Sequence, residues 1–203
     1  REGQTRPILR TTEKRDIVKS VFLHIPKTGG TSINNMLRPE LNDHYTWEDW
    51  FVTGKNTTRT VLDHSEYFVY SFVRNPWDRI VSLYHYKKNT HQEGFQKNKT
   101  DLLGFNDWIQ AVYVDKDKDY IGAHELKTYL DFLSYGGDIK VDFIGKLENI
   151  EKDVVELCDI LGKPIPPIKC KNVRECKTKT YQEEYTPETV NIIGDYFTQD
   201  IKT

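Results

Sequence analysis

VKSVFLHIPKTGGTSINNML, residues 18–37, decides the fold. Its first eight residues, 18–25, are short, apolar and partly β-branched, the composition of a buried strand. PKTGG follows as a loop, and residues 31–37 read as a helix with Ile33, Met36 and Leu37 on one face. A strand, a glycine loop and a helix in this order form a cradle for an oxyanion. Gly29 and Gly30 let the backbone fold closely around a ligand. The helix start presents unpaired N–H groups and the positive end of its dipole. Lys27 adds a full charge, and Thr28, Thr31 and Ser32 add hydroxyls. The spacing is not that of the metal-assisted nucleotide loop, because Lys27 precedes the glycines. No strand-terminal carboxylate stands out for magnesium; Asp63 comes nearest and suits a turn equally well. The expectation is an anion held by protein donors, with no metal required.

A second anion site is expected around YFVYSFVRNPWDRIVSLY, residues 67–84. Residues 67–73 are too continuously apolar for a half-exposed strand. Arg74 closes that strand, where its planar fork can meet a phosphate with two hydrogen bonds. Asn75 is placed to cap the next helix, Pro76 suits its first position, and Asp78 can reach back as in a capping box. Ser82 lies eight residues beyond Arg74, about 2.2 helical turns, so it faces the side of the helix start. Ile80, Leu83, Tyr84 and the stem of Lys87 make the packing face, with Arg79 read as a supporting or surface charge.

Between these motifs, residues 38–65 are polar and aromatic and read as short turns over the sheet edge. Further on, helical spacing covers 105–114, DKDKD at 115–119 is a solvated turn, and 125–133 reads as a helix through Leu126, Leu130 and Leu133. KVDFIG, 140–145, reads as a third buried strand. Ile150, Val154, Leu157, Cys158 and Leu161 line a helix that Gly162 and Pro164 end. A basic loop leads to a last helix capped by Thr186, opened by Pro187 and packed through Val190, Ile193 and Phe197. Strands alternating with helices predict an α/β, three-layer, P-loop-like fold with a central mainly parallel sheet flanked by helices. The whole of 1–203 reads as one domain, with 1–17 as an N-terminal arm.

Composition narrows the function. Lys plus Arg number 29 and Asp plus Glu 31, a net charge of -2, which lacks the basic footprint of a nucleic-acid binder. Aromatic residues make up 12%, too many for a disordered chain. Cys158, Cys170 and Cys176 are too few for a disulfide-built fold and lack zinc-site spacing. No apolar run approaches the roughly 20 residues of a membrane helix.

HIPKTGGTS with FVRNPWDRIVSLY resembles the two cofactor signatures of the sulfotransferases that use 3'-phosphoadenosine 5'-phosphosulfate (PAPS), and the carbohydrate-type branch with its bacterial and viral relatives in particular. DFIGKLENIEKDVVELCDILG and YQEEYTPETVNIIGDYFTQDI, at 142–162 and 181–201, resemble that branch too. The resemblance implies that Lys27, Thr28, Gly29, Gly30, Thr31 and Ser32 hold the 5'-phosphosulfate, and that Arg74 and Ser82 bind the 3'-phosphate. It implies a late loop over the nucleotide at 172–179, where Asn172-Val173-Arg174 departs from the usual N-x-S; Arg174 and Lys177 are the cationic candidates there. Lys27 is the expected electrostatic catalyst, and His44 the favoured base, with His64 second. His124 is expected at the acceptor, and Trp47 or Trp50 against a sugar ring or the adenine. Glu148 suits either the orientation of Lys27 or a helix start.

The implied reaction moves a sulfuryl group from PAPS to a hydroxyl of a carbohydrate or other acceptor, leaving 3'-phosphoadenosine 5'-phosphate (PAP). Two other readings stay open: a P-loop kinase or NTPase, and a catalytically inactive domain that binds nucleotide or glycan. Compartment is also open, cytoplasmic for a bacterial or viral protein and Golgi lumen for a trimmed eukaryotic one. The two glycosylation sequons, at Asn56 and Asn98, are too close to the chance number to decide it.

Overall fold

The computed structural model describes residues 18–89, 99–167 and 180–202. Its strands are β1 (Ser20–Leu23), β2 (Leu41–Asp43), β3 (Phe68–Val73), β4 (Ser134–Tyr135), β5 (Asp138–Ile139) and β6 (Phe143–Lys146). Its α-helices are α1 (Gly30–Leu37), α2 (Trp47–Phe51), α3 (Pro76–Asn89), α4 (Phe105–Ile109), α5 (Tyr129–Leu133), α6 (Ile150–Leu161), α7 (Pro187–Tyr196) and α8 (Thr198–Lys202). Four strands form one parallel sheet in the order β2-β1-β3-β6, and β4 and β5 make a separate antiparallel hairpin. Parallel neighbours require crossovers, and the helices between the strands supply them.

The side-chain alternation of β1 and β3 builds the two inner faces. Val21, Leu23 and Val69 pack with Trp47, Trp50, Phe51, Tyr129, Phe132 and Leu133 of α2 and α5. Phe22, Tyr70 and Phe72 face the other way, against Ile33 and Leu37 of α1 and the apolar stripe of α6. That is the expected three-layer α/β architecture. A further cluster joins α3, α4 and α7, with the residues that follow α4 and α7, through Ile80, Leu83, Trp108, Val112, Ile193 and Phe197. Beyond α4 the chain loosens into a π-helical turn, Gln110–Val114.

Several local expectations need correction. Residues 38–65 contain a sheet strand, β2, whose three residues Leu-Asn-Asp carry no β-branched signal. β6 is an edge strand, so only Gly145 of its four residues is buried. The helix expected over 125–133 begins at Tyr129, capped by the Thr128 hydroxyl and by Asp200, which accepts from the N–H groups of Tyr129 and Leu130. Its buried face is therefore Tyr129, Phe132 and Leu133 rather than a leucine stripe. Val190 is exposed, whereas Ile193 and Phe197 are buried. Asn56 is buried, its amide donating to the carbonyls of Asp49 and Thr60, so this sequon is a structural turn. Among the described residues no helix is long and apolar enough to cross a membrane.

Candidate active site

Parallel strands deliver the ends of their chains to one edge, and four segments meet there. β1 runs into residues 24–29, β2 into His44, β3 into Arg74 and β6 into Glu148. Because β1 is flanked by β2 and β3, the glycine loop lies between the segments carrying His44 and Arg74.

The loop is folded tightly. Lys27 has φ 71° and Gly29, capping α1, has φ 82°. Left-handed backbone is routine for glycine but uncommon for lysine, so the surrounding packing imposes it at Lys27. The Thr28 side chain is wholly buried and its hydroxyl donates to the Ile25 carbonyl at 2.9 Å. Thr28 thus closes the loop with its side chain. Ser32 is buried within the first turn of α1, and Thr31 is exposed. The Lys27 ammonium lies 4.1 Å from the centre of the Tyr86 ring, a cation–π contact.

Arg74 is fixed from three sides. Its Nε and Nη2 donate to Oδ2 of Asp78 at 2.9 and 2.5 Å, and Nη1 donates to the Lys27 carbonyl at 3.2 Å. Its own carbonyl accepts from the Tyr129 hydroxyl at 2.5 Å. A guanidinium carries five N–H groups, so two remain for an anion. Ser82 sits half-buried on the same helix as Asp78. The capping box expected at α3 is divided: Asn75 Oδ1 accepts from the N–H groups of Trp77 and Asp78, but the Asp78 carboxylate serves Arg74. Glu148 takes over the remaining task and accepts the Asn75 N–H at 2.6 Å.

His44 Nδ1 lies 2.6 Å from the carbonyl oxygen of His24. A carbonyl only accepts, so Nδ1 carries the proton and Nε2 of the neutral ring is a bare acceptor. His44 is exposed, with ring centroids 4.1 Å from His24 and 5.6 Å from His124. Burial first, then the nearby imidazoles, lowers both His24 and His124 to about 4. Both neighbours of His44 are therefore neutral at ordinary pH.

The turn bearing His124 is clamped by buried charges whose partners only the fold reveals. Glu125 is fully buried, accepts from the N–H groups of Gly122 and His124, and contacts the Lys87 ammonium. Of the two readings of Arg79, the supporting one holds: it is 1% exposed and donates to the carbonyls of Pro26, Lys127 and His124. It thereby ties the glycine loop to the His124 turn. Its position one turn before Leu83, on the packing face, was the available signal.

Other candidates lie elsewhere. Trp47 is buried, with Phe51, Tyr135 and His64 around its ring, and Trp50 is wholly buried, so neither is open to a sugar or base. His64 packs against Trp47 and Phe51, apart from the three-histidine cluster. Arg174 and Lys177, with the rest of the 172–179 loop, lie outside the described residues, as does the 1–17 arm. A groove of about 690 Å³ opens beside Ser32 and passes Asn35, Met36 and Arg38 to Lys163 and Pro164–Pro167.

A parallel α/β sheet with a glycine loop and a strand-end arginine at its carboxyl edge is an arrangement suited to holding an anion. The chain belongs to the sulfotransferase family, whose sequence profile matches residues 11–202. A protein of Archaeoglobus fulgidus described as uncharacterized is 33% identical over 98 residues, 48% of this chain and 70% of its own length. Among solved structures, mouse sulfotransferase SULT7A1 complexed with PAP has the same fold, with a TM-score of 0.58 at 14% identity over 92% of this chain and 84% of the mouse chain.

Proposed function

We propose that this sulfotransferase transfers a sulfuryl group from PAPS to a hydroxyl of a carbohydrate by a single base-assisted displacement. The observation that carries this reading is the convergence of Lys27, Arg74 and His44 on one edge of the sheet, with Arg74 bonded directly to the loop backbone. The donor set suits a nucleotide with anionic groups at two positions. The α1 N-terminus, Lys27 and Ser32 would hold the 5'-phosphosulfate, and the two remaining N–H groups of Arg74, with Ser82, the 3'-phosphate. PAPS, when bound, supplies the sulfuryl group and a phosphate leaving group.

The chain's own residues then do three things. His44 Nε2 takes the proton of the acceptor hydroxyl as its oxygen bonds to sulfur. Lys27 and the loop N–H groups meet the charge that develops on the sulfuryl and bridging oxygens. His124, beside His44, contacts the acceptor. The carbohydrate-type sequence motifs favour a sugar hydroxyl; the Arg174 and Lys177 loop is assigned to the nucleotide on the same ground.

Transfer of labelled sulfate from PAPS to a panel of oligosaccharides and simple alcohols, in EDTA, tests the reading. Turnover on a saccharide supports it. Turnover confined to non-carbohydrate alcohols would reassign the acceptor.

A further inference from the structure

His44 is exposed, yet it belongs to a row of rings that begins in the core. Tyr70 stacks on Phe22 (5.2 Å between centroids, 16° between planes) and Phe22 on His24 (5.4 Å, 13°). His24 then meets His44 at 4.1 Å and 40°, and His44 meets His124 at 5.6 Å. Tyr70 and Phe22 have no exposed surface, so the row is anchored where side chains are close-packed. We infer that His24 is the positioning residue for the base, fixing the plane, tautomer and distance of His44 relative to the phosphosulfate loop.

Three further contacts of His24 support this. Its N–H donates to the Asp43 carbonyl at 3.0 Å, which locks it to the end of β2, next to His44. Its carbonyl receives His44 Nδ1, which leaves Nε2 bare. Its ring also lies directly on Gly30. A Cβ placed there would come within 1.8 Å of His24 Nε2, so glycine is required for this approach. One residue therefore touches both the base and the loop that holds the donor. Because His24 stays neutral, it presents a ring face to protonated His44 without competing charge.

This inference rests on His44 being the base, so its test separates the two. His24→Ala removes the ring, while His24→Phe keeps a planar ring between Phe22 and His44; both keep the backbone carbonyl. His44→Ala serves as the reference. PAP affinity and kcat are measured for each. A misplaced base loses rate without losing donor affinity, so His24→Ala should drop kcat at least about tenfold while PAP Kd moves less than about threefold. His24→Phe should recover most of that loss. Wild-type kcat in His24→Ala would overturn the inference. So would a His24→Phe as slow as His24→Ala, which would make the ring nitrogens themselves reactive. Loss of PAP binding in His24→Ala would also overturn it, making the ring a support of the loop alone. Full turnover in His44→Ala would instead sink the assignment of the base.

Discussion

Arg74 reaches across 47 residues of sequence to donate from Nη1 to the carbonyl of Lys27, at 3.2 Å. The two cationic motifs, each legible only as a local pattern, are therefore in direct contact. The bond follows from topology: β1 and β3 are hydrogen-bonded neighbours running the same way, so the segments after Leu23 and Val73 leave from adjacent places.

Asp78 orients the Arg74 fork through Nε and Nη2, and neutralising it should loosen that fork without removing it. Asp78→Asn is expected to weaken PAP binding by about threefold to tenfold, less than Arg74→Ala, because a charge-assisted bond becomes a neutral one. Calorimetric titration checks the order. Tighter binding by Asp78→Asn would mean that Asp78 competes with the nucleotide instead of aiming Arg74.

The base is distinguished by a pair of variants. His44→Ala should lower kcat by about 10² to 10⁴ with PAP affinity retained, the usual range for loss of a positioned general base. His64→Ala should keep its turnover, since His64 packs against Trp47 and Phe51. Initial rates at saturating PAPS read both.

Arg79 is a stability prediction. Replacing it by Met leaves the carbonyls of Pro26, Lys127 and His124 without their donor inside the protein. Each unsatisfied buried acceptor costs about 1–3 kcal/mol, so the three together should cost at least about 3 kcal/mol. Urea unfolding measures it, and a loss under about 1 kcal/mol would deny Arg79 the role of a clamp.

Acid should destabilise the fold before the carboxylates titrate. His24 and His124 titrate near 4 when folded and near 6.5 as free side chains. Between these values the unfolded chain binds more protons, so stability rises with pH across the window and falls as pH drops through it. Each such proton is worth up to about 1.4 kcal/mol per pH unit, less for the more accessible His124. Unfolding midpoints from pH 7 to 4.5 should decline, and His24→Phe should flatten the decline. An equal slope in the variant would place the sensitivity elsewhere.

Much of this was readable from sequence because it is local. Strand, glycine loop and helix follow each other without gaps at 18–37, and α6 announces itself through a stripe ended by Gly162. Non-local features were hidden. β2 is polar and three residues long, and only its pairing with β1 makes it a strand. Arg79 reads as a charge on a helix until its three carbonyl partners, from two distant segments, are in place. The approach of His24, His44 and His124 joins residues from three segments, and no spacing encodes it. Trp47 failed as a ligand candidate for the opposite reason: a tryptophan is as useful to a core as to a sugar, and here the core holds it.

The central claim is that Arg74 reads the 3'-phosphate of a nucleotide whose other end lies in the Lys27 loop. Binding of PAP and of AMP, which lacks that phosphate, measured in EDTA to the wild type and to Arg74→Ala, tests it most directly. The wild type should prefer PAP by about tenfold to a hundredfold, the worth of a charged hydrogen-bonded pair, and the variant should lose most of that preference. An undiminished preference for PAP in Arg74→Ala would contradict the account.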